Sequence, residues 1–143
     1  MSAKEKVFFD SNILVYVVDD SEPEKQKKAI ELITKSIEEK NGMISTQSLQ
    51  EFYNVSTKKL KCDVDKAREY TRNFSESFDV TQISVSLILA AIDVSIKHKL
   101  SFWDSLIVAA ARESASVVLY SEDLNDGEII DGIKVCNPFS HAA

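Results

Sequence analysis

Four carboxylates, far apart in the chain, stand where an acidic side chain could do chemistry. Asp10 directly follows the apolar run ending at Phe9, and Glu51 follows Ser48-Leu49-Gln50. Asp104 opens the apolar stretch Phe102–Arg112, and Asp123 lies three residues past Tyr120. Each has an ordinary explanation when taken alone. Asp10 fits a turn residue that ends a strand, and Ser48–Glu51 and Ser101–Asp104 each fit a capping box at a helix start. Gathered in one place they read differently, because clustered like charges are costly unless a cation joins them. Hard oxygen ligands without histidine or cysteine beside them favour Mg²⁺ or Mn²⁺ over zinc. An ion held that way orients and deprotonates water and offsets charge on a transferring phosphoryl group, which is the chemistry of phosphodiester hydrolysis.

Such a site needs elements that deliver all four side chains to one rim. Lys6–Phe9 reads as a short buried strand, stopped by Asp10-Ser11-Asn12. Ile13–Val18 resumes apolar, too continuous for periodicity to settle strand against helix. Ser21-Glu22-Pro23-Glu24 signals a helix start with serine as the cap, Ile30, Ile33 and Ile37 supply its buried stripe, and Asn41-Gly42 ends it. Met43–Ser45 is a short strand, and helices follow over about 46–60 and 64–78. Val80–Ser84 is a weak strand before a helix over about 85–99, whose stripe is Ile88, Ile92 and Ile96. In the helix opened by Asp104, Leu106, Ile107, Ala110 and Ala111 recur at helical spacing, and Trp103 is expected to pack into the core. Val117–Tyr120 and Ile133–Cys136 are the last strands, with the polar loop 121–127 between them. Short strands alternating with helices predict an α/β domain with a mostly parallel sheet. In such a sheet the carboxyl ends of the strands and the adjoining helix N-termini form one rim where ligands bind.

Composition bounds the reading. The 143 residues are expected to form one domain over 1–143, the last few residues being a flexible tail. Only three glycines and two prolines make a turn-rich β sandwich a poor fit. Cys62 and Cys136 lie far apart and read as reduced thiols of an intracellular protein. Asp10 interrupts any signal-peptide core, and Ile13–Val18, the longest apolar run, is too short to span a bilayer, so a cytoplasmic location without membrane attachment is expected. The net charge of −6 excludes a generally basic nucleic-acid binder. Lys58, Lys59, Lys61, Lys66, Arg68 and Arg72 make one basic region, the ordinary reading of which is a solvated helix face. No glycine-rich phosphate loop occurs, His98 and His141 lack metal-ligand spacing, and no serine or cysteine nucleophile has a motif around it.

In order along the chain, Phe9-Asp10-Ser11-Asn12-Ile13-Leu14, Ser48-Leu49-Gln50-Glu51-Phe52, Phe102-Trp103-Asp104-Ser105-Leu106 running on to Ala111, and Leu119-Tyr120-Ser121-Glu122-Asp123-Leu124 resemble the four motifs of the PIN domain, most closely the VapC-type toxin endoribonucleases of toxin–antitoxin pairs. The resemblance implies a three-layer α/β/α fold with a short, mostly parallel sheet. It implies Asp10, Glu51, Asp104 and Asp123 as catalytic, metal-binding carboxylates for Mg²⁺ or Mn²⁺, with Asn12 and Ser121 in support. It further implies RNA as substrate, a homodimer, and an antitoxin protein that enters the active-site groove. The fourth motif is crowded, since Glu122, Asp123 and Asp126 are all candidates for its acid. Ile13–Val18 and the helices around 46–78 are the surfaces expected to serve the dimer. A non-catalytic PIN-fold binding module, an RNA-processing nuclease outside toxin–antitoxin systems, and a small-molecule phosphohydrolase with a deep pocket are the competing readings.

Overall fold

The computed structural model describes residues 4–140, and the expected tail and His141 lie outside the described residues. Its central strand is β1 (Val7–Phe9), which pairs in parallel with β2 (Gly42–Ser45) on one side and with β4 (Val118–Tyr120) on the other. Strand β3 (Asp79–Thr81) extends the sheet beyond β2, and β6 (Ile133–Cys136) extends it beyond β4, both in parallel. A two-residue strand, β5 (Ile129–Ile130), folds back antiparallel on β6 and is not legible in the sequence. The order is therefore 3-2-1-4-6-5, mostly parallel as expected. The chain builds outward from β1 in one direction, then returns to build in the other. This reversal opens a crevice at the carboxyl ends of β1 and β4, where open α/β sheets bind their ligands.

Because strand side chains alternate between faces, β1 serves two cores at once. Phe8, with Met43, Leu119 and Val135, packs under helices α5 (Val85–His98) and α6 (Phe102–Glu113). Phe9, with Ile44, packs under α1 (Ser11–Tyr16), α2 (Pro23–Glu39), α3 (Thr46–Lys58) and α4 (Val64–Ser77). The result is the expected α/β/α sandwich. Of the run Ile13–Val18, Ile13–Tyr16 lies in helix α1 and the last two residues turn out of it, and Ile13, Leu14 and Val15 are buried in the second core.

Several local expectations need correction. The start of α2 is Glu22 followed by Pro23, not a Ser21 cap, because the Ser21 hydroxyl and N–H both donate to Asp19. Its end is Lys40 in the left-handed conformation, and Gly42 belongs to β2. Of the three isoleucines only Ile33 is buried, alongside Ala29 and Ser36, while Ile30 and Ile37 face solvent. Small residues occupy this contact because the helix lies close to the sheet: a Cβ on Gly42 would meet the Phe78 ring at 2.5 Å and the Ser36 hydroxyl at 2.9 Å. The same substitution of faces occurs in α5, where Leu87, Ala91 and Val94 are buried and Ile88, Ile92 and Ile96 are exposed. The inward face of α5 is thus Leu87, Ala91 and Val94, and the isoleucines fall on the far side. Strand β3 stops at Thr81, since Ser84 is already the cap of α5. Trp103 is not a core residue: it is 64% exposed, and Phe102 takes the place against the core, with the two rings edge to face.

Candidate active site

Strand β1 hands the chain to α1 through Asp10, a buried carboxylate at the crevice. One of its oxygens accepts the Ser11 N–H at 2.7 Å, capping α1, and the other accepts the Ser121 hydroxyl at 2.7 Å from the end of β4. Burial pushes this carboxyl up from its ordinary 3.8 to about 7, opposed by those two hydrogen bonds and assisted by the charges of Asp123 and Glu51.

Helix α3 starts from a reciprocal cap between Ser45 and Ser48, with the Ser45 hydroxyl accepting the Ser48 N–H and the Ser48 hydroxyl accepting the Ser45 N–H. That places Ser48 inside the helix and removes the Ser48–Glu51 capping box as an explanation of Glu51. The Glu51 carboxyl is half-buried and shifted upward, chiefly by desolvation and then by Asp123; Asp104 adds to the rise, and side-chain hydrogen bonds from Gln47 and Ser11 oppose it. Glu51 is raised by Asp123 and Asp104 and in turn raises Asp10, which ties it to the other three acids. Asp104 sits in the first turn of α6, where its N–H donates to the Ser101 hydroxyl at 3.1 Å. The carboxylate itself makes no hydrogen bond among the described residues.

The crowded fourth corner sorts itself by partners. Glu122 accepts from the Tyr16 hydroxyl and from the Lys25 ammonium, each at 2.6 Å, and so serves a clasp between α1, α2 and this loop. Asp126 accepts the Asn137 N–H and the Ser140 hydroxyl, both at 2.9 Å, at the far side of the loop. Asp123 alone of the three turns to the rim, accepting the Asn12 amide N–H at 3.1 Å while its own N–H donates to Ser121 at 3.1 Å. Asn12 and Ser121 therefore each bridge the β1 and β4 ends of the crevice.

Two contributors escape the motif reading. Ser11 follows Asp10 and reaches both Asp10 and Glu51. Gln47 precedes Glu51 by one helical turn on the same face of α3, and that i, i+4 spacing is the signal that could have found it.

Among the described residues, four buried side-chain polar atoms lack any hydrogen-bond partner, and three of them belong to this site: Asn12 Oδ1, Gln47 Oε1 and Glu51 Oε1. All are acceptors, and a buried acceptor left unmade costs about 1–3 kcal/mol. A hard cation with its water is the partner that fits such a set of orphaned oxygens beside four carboxylates. Among the described residues no three acidic, histidine or cysteine side chains converge closely enough to ligate one ion as they stand. Mutual repulsion of the carboxylates works against that closure, and a cation works for it. The rim is open. A cavity of about 370 Å³ lies instead along α2 and the start of β1, walled by Lys4, Leu32, Lys35, Asn41 and Tyr120, and holds none of the four acids. The basic region does not converge on the rim as a unit: Arg68 pairs with Asp65 at 3.2 Å and Arg72 with Glu69 at 3.9 Å on the exposed face of α4.

The same fold occurs in the VapC20 toxin of Mycobacterium tuberculosis, a sarcin–ricin loop cleaving toxin, at 18% identity over 82% of this chain and 90% of that one, with a TM-score of 0.66. It occurs also in a toxin–antitoxin complex from Klebsiella pneumoniae, at 22% identity, coverage of 93% and 98%, and a TM-score of 0.66. The DNA-bound VapBC complex of Salmonella typhimurium shares it at 16% identity, coverage of 92% and 97%, and a TM-score of 0.68. No curated protein matches the chain in sequence. The PIN domain model matches residues 7–125, a span that runs from β1 through the Asp123 corner, and the chain belongs to the PIN domain family.

Proposed function

We propose that this chain is a metal-dependent endoribonuclease acting in the cytoplasm as the toxin of a toxin–antitoxin pair. What supports the reading is that Asp10, Glu51, Asp104 and Asp123 are near enough to act on one another's charge at the ends of β1, α3 and α6, together with three orphaned buried acceptors beside them. Those four carboxylates are the residues that would hold Mg²⁺ or Mn²⁺, which when bound supplies an activated water and neutralises charge on the phosphoryl oxygens. The chain's own part is to hold the acids in register. Ser121 and Ser11 fix the Asp10 oxygens, Asn12 fixes Asp123, and the α6 N-terminus favours the Asp104 charge. Exposed Trp103, next to Asp104, offers a ring on which an unpaired base can stack. An open rim suits a polymer better than the deep pocket a small-molecule phosphohydrolase would need.

The Ser11 and Ser121 hydroxyls are engaged with Asp10 and the carboxylates are assigned to the metal, so the reading takes water as the group that attacks phosphorus. In-line attack expels the ribose 3′ oxygen, leaving 5′-phosphate and 3′-hydroxyl ends. The test is incubation of the purified chain with a defined pool of cellular RNAs in Mn²⁺ or in EDTA, followed by mapping of the cleaved ends. Cleavage in Mn²⁺ alone, with Asp104→Ala slower by at least about a hundredfold, is the expected result, on the scale of losing one preorganised electrostatic element. Cyclic-phosphate ends, or full activity in EDTA, would refute it.

Two partners belong to the same reading. The similar structures include toxin–antitoxin complexes, and a carboxylate rim open to solvent suits an arginine or lysine from such a protein. A second copy suits α5, where Val85, Ile88, Leu89, Ile92 and Ile96 form an exposed apolar stripe. Of the dimer surfaces expected at Ile13–Val18 and on the helices around 46–78, Ile13, Leu14 and Val15 are buried in the core and cannot serve.

A further inference from the structure

Gln47 is a long polar side chain in a place where such chains are uncommon. It is 5% exposed, lies in the first turn of α3, and faces the carboxylate rim one turn ahead of Glu51. Its amide nitrogen donates to the Trp103 carbonyl, the peptide oxygen just before Asp104, at 3.4 Å. That is at the long limit of a hydrogen bond. Its amide oxygen is buried and meets no donor. A buried amide with one stretched bond and one empty acceptor is poorly satisfied, yet Leu or Met would fill the same volume without that penalty. One turn further along α3, the Glu51 carboxyl feels the same amide, which opposes the rise of its pKa. It therefore ties α3, the helix that carries Glu51, to the Trp103 carbonyl just ahead of Asp104 in α6.

We propose that Gln47 is a positioning residue of the metal site: its amide N–H groups set the spacing between Glu51 and the Asp104 turn, and its amide oxygen accepts a hydrogen bond from water held on the cation. The inference rests on the metal-dependent reading above. It explains why the orphaned oxygen stands among carboxylates that already carry more negative charge than they can share without a cation. A neutral oxygen adds acceptor capacity there without adding charge.

The experiment is calorimetric titration of the full chain with MnCl₂ alone, for the native protein, Gln47→Met and Gln47→Glu, alongside thermal unfolding of each in EDTA. Gln47→Met keeps the volume and removes both hydrogen-bonding functions. Its Mn²⁺ affinity should fall by about 10- to 100-fold, the usual loss when a partner behind a metal ligand is removed. Its unfolding temperature in EDTA should be unchanged or higher, since an unsatisfied amide is gone. Gln47→Glu restores an acceptor oxygen and should bind Mn²⁺ more tightly than Gln47→Met. A Gln47→Met protein that titrates like the native chain would overturn the proposal, as would a Gln47→Glu protein that binds no better than Gln47→Met. If Gln47→Met does not fold, Gln47→Leu is titrated in its place: a loss of Mn²⁺ affinity of about tenfold or more supports the proposal, and native-like binding overturns it. A native chain that takes up no Mn²⁺ would instead overturn the metal-dependent reading itself, which separates the two failures.

Discussion

Replacing Asp10 by asparagine should stabilise the metal-free chain at neutral pH while weakening its hold on Mn²⁺. Burial raises the Asp10 carboxyl from 3.8 to about 7. Because the folded value lies above the unfolded one, between those pH values the folded chain keeps a proton that the unfolded chain has released. Stability therefore falls as pH rises through that window, and the full loss is present above about pH 7. Each pH unit is worth about 1.4 kcal/mol, so ionising Asp10 inside the fold costs about 4 kcal/mol. Asparagine carries no charge and escapes this cost. Its oxygen can still cap α1 by accepting the Ser11 N–H, since Asn and Asp are comparable caps. Its amide nitrogen cannot accept from Ser121, which loses about 1 kcal/mol. The net gain at pH 8 is then about 1–3 kcal/mol, or roughly 3–10 °C in Tm for a domain of this size. Below about pH 4 the gain should vanish, because native Asp10 is protonated in both states. Thermal and urea unfolding of both proteins in EDTA from pH 4 to 8 measures the difference. In Mn²⁺ at a hundredfold excess over Kd the native chain should gain about 2.7 kcal/mol, and the variant much less. Parallel stability curves across the pH window would refute the argument, since they would mean that the Asp10 charge is not desolvated by folding.

Other substitutions examine the fold that presents the site. Ile33→Ala should cost about 2–4 kcal/mol in urea unfolding, whereas Ile30→Ala, on the exposed side of α2, should cost less than about 1 kcal/mol; equal losses would mean that α2 is turned differently. Gly42→Ala should cost about 1–3 kcal/mol, because its Cβ would stand 2.5 Å from the Phe78 ring, and adding Phe78→Leu should recover part of that loss. Leu89→Glu, at a position 58% exposed on α5, should convert a dimer to a monomer in sedimentation equilibrium with little change in monomer unfolding. A native chain that is strictly monomeric at high micromolar concentration would remove the self-association reading.

How much of this was legible beforehand differs by kind of feature. The sequence by itself determined the α/β alternation, the mostly parallel sheet, and where Asp10, Glu51, Asp104 and Asp123 stand along their elements. These follow from local patterns, in which apolar runs, caps and breakers lie within a few residues of one another. It also determined that helices α2 and α5 are amphipathic, but not which side is inward. Both helices carry isoleucines on one face and small or mixed residues on another, and periodicity cannot tell the two apart. Only the tertiary structure decided that close approach selects Ala29 and Ser36 in α2 and Ala91 in α5, leaving Ile30, Ile37, Ile88, Ile92 and Ile96 outside. The same holds at the rim. Glu122, Asp123 and Asp126 are equivalent acids in a polar loop until Lys25 and Tyr16 claim the first and Asn137 and Ser140 the last. Asp123 meets Asn12 across 111 positions of chain, and Gln47 meets Trp103 across 56. Contacts at such separations are set by the pairing of β1 with β4 and by the meeting of the first turns of α3 and α6 across the fold, and no local pattern carries them.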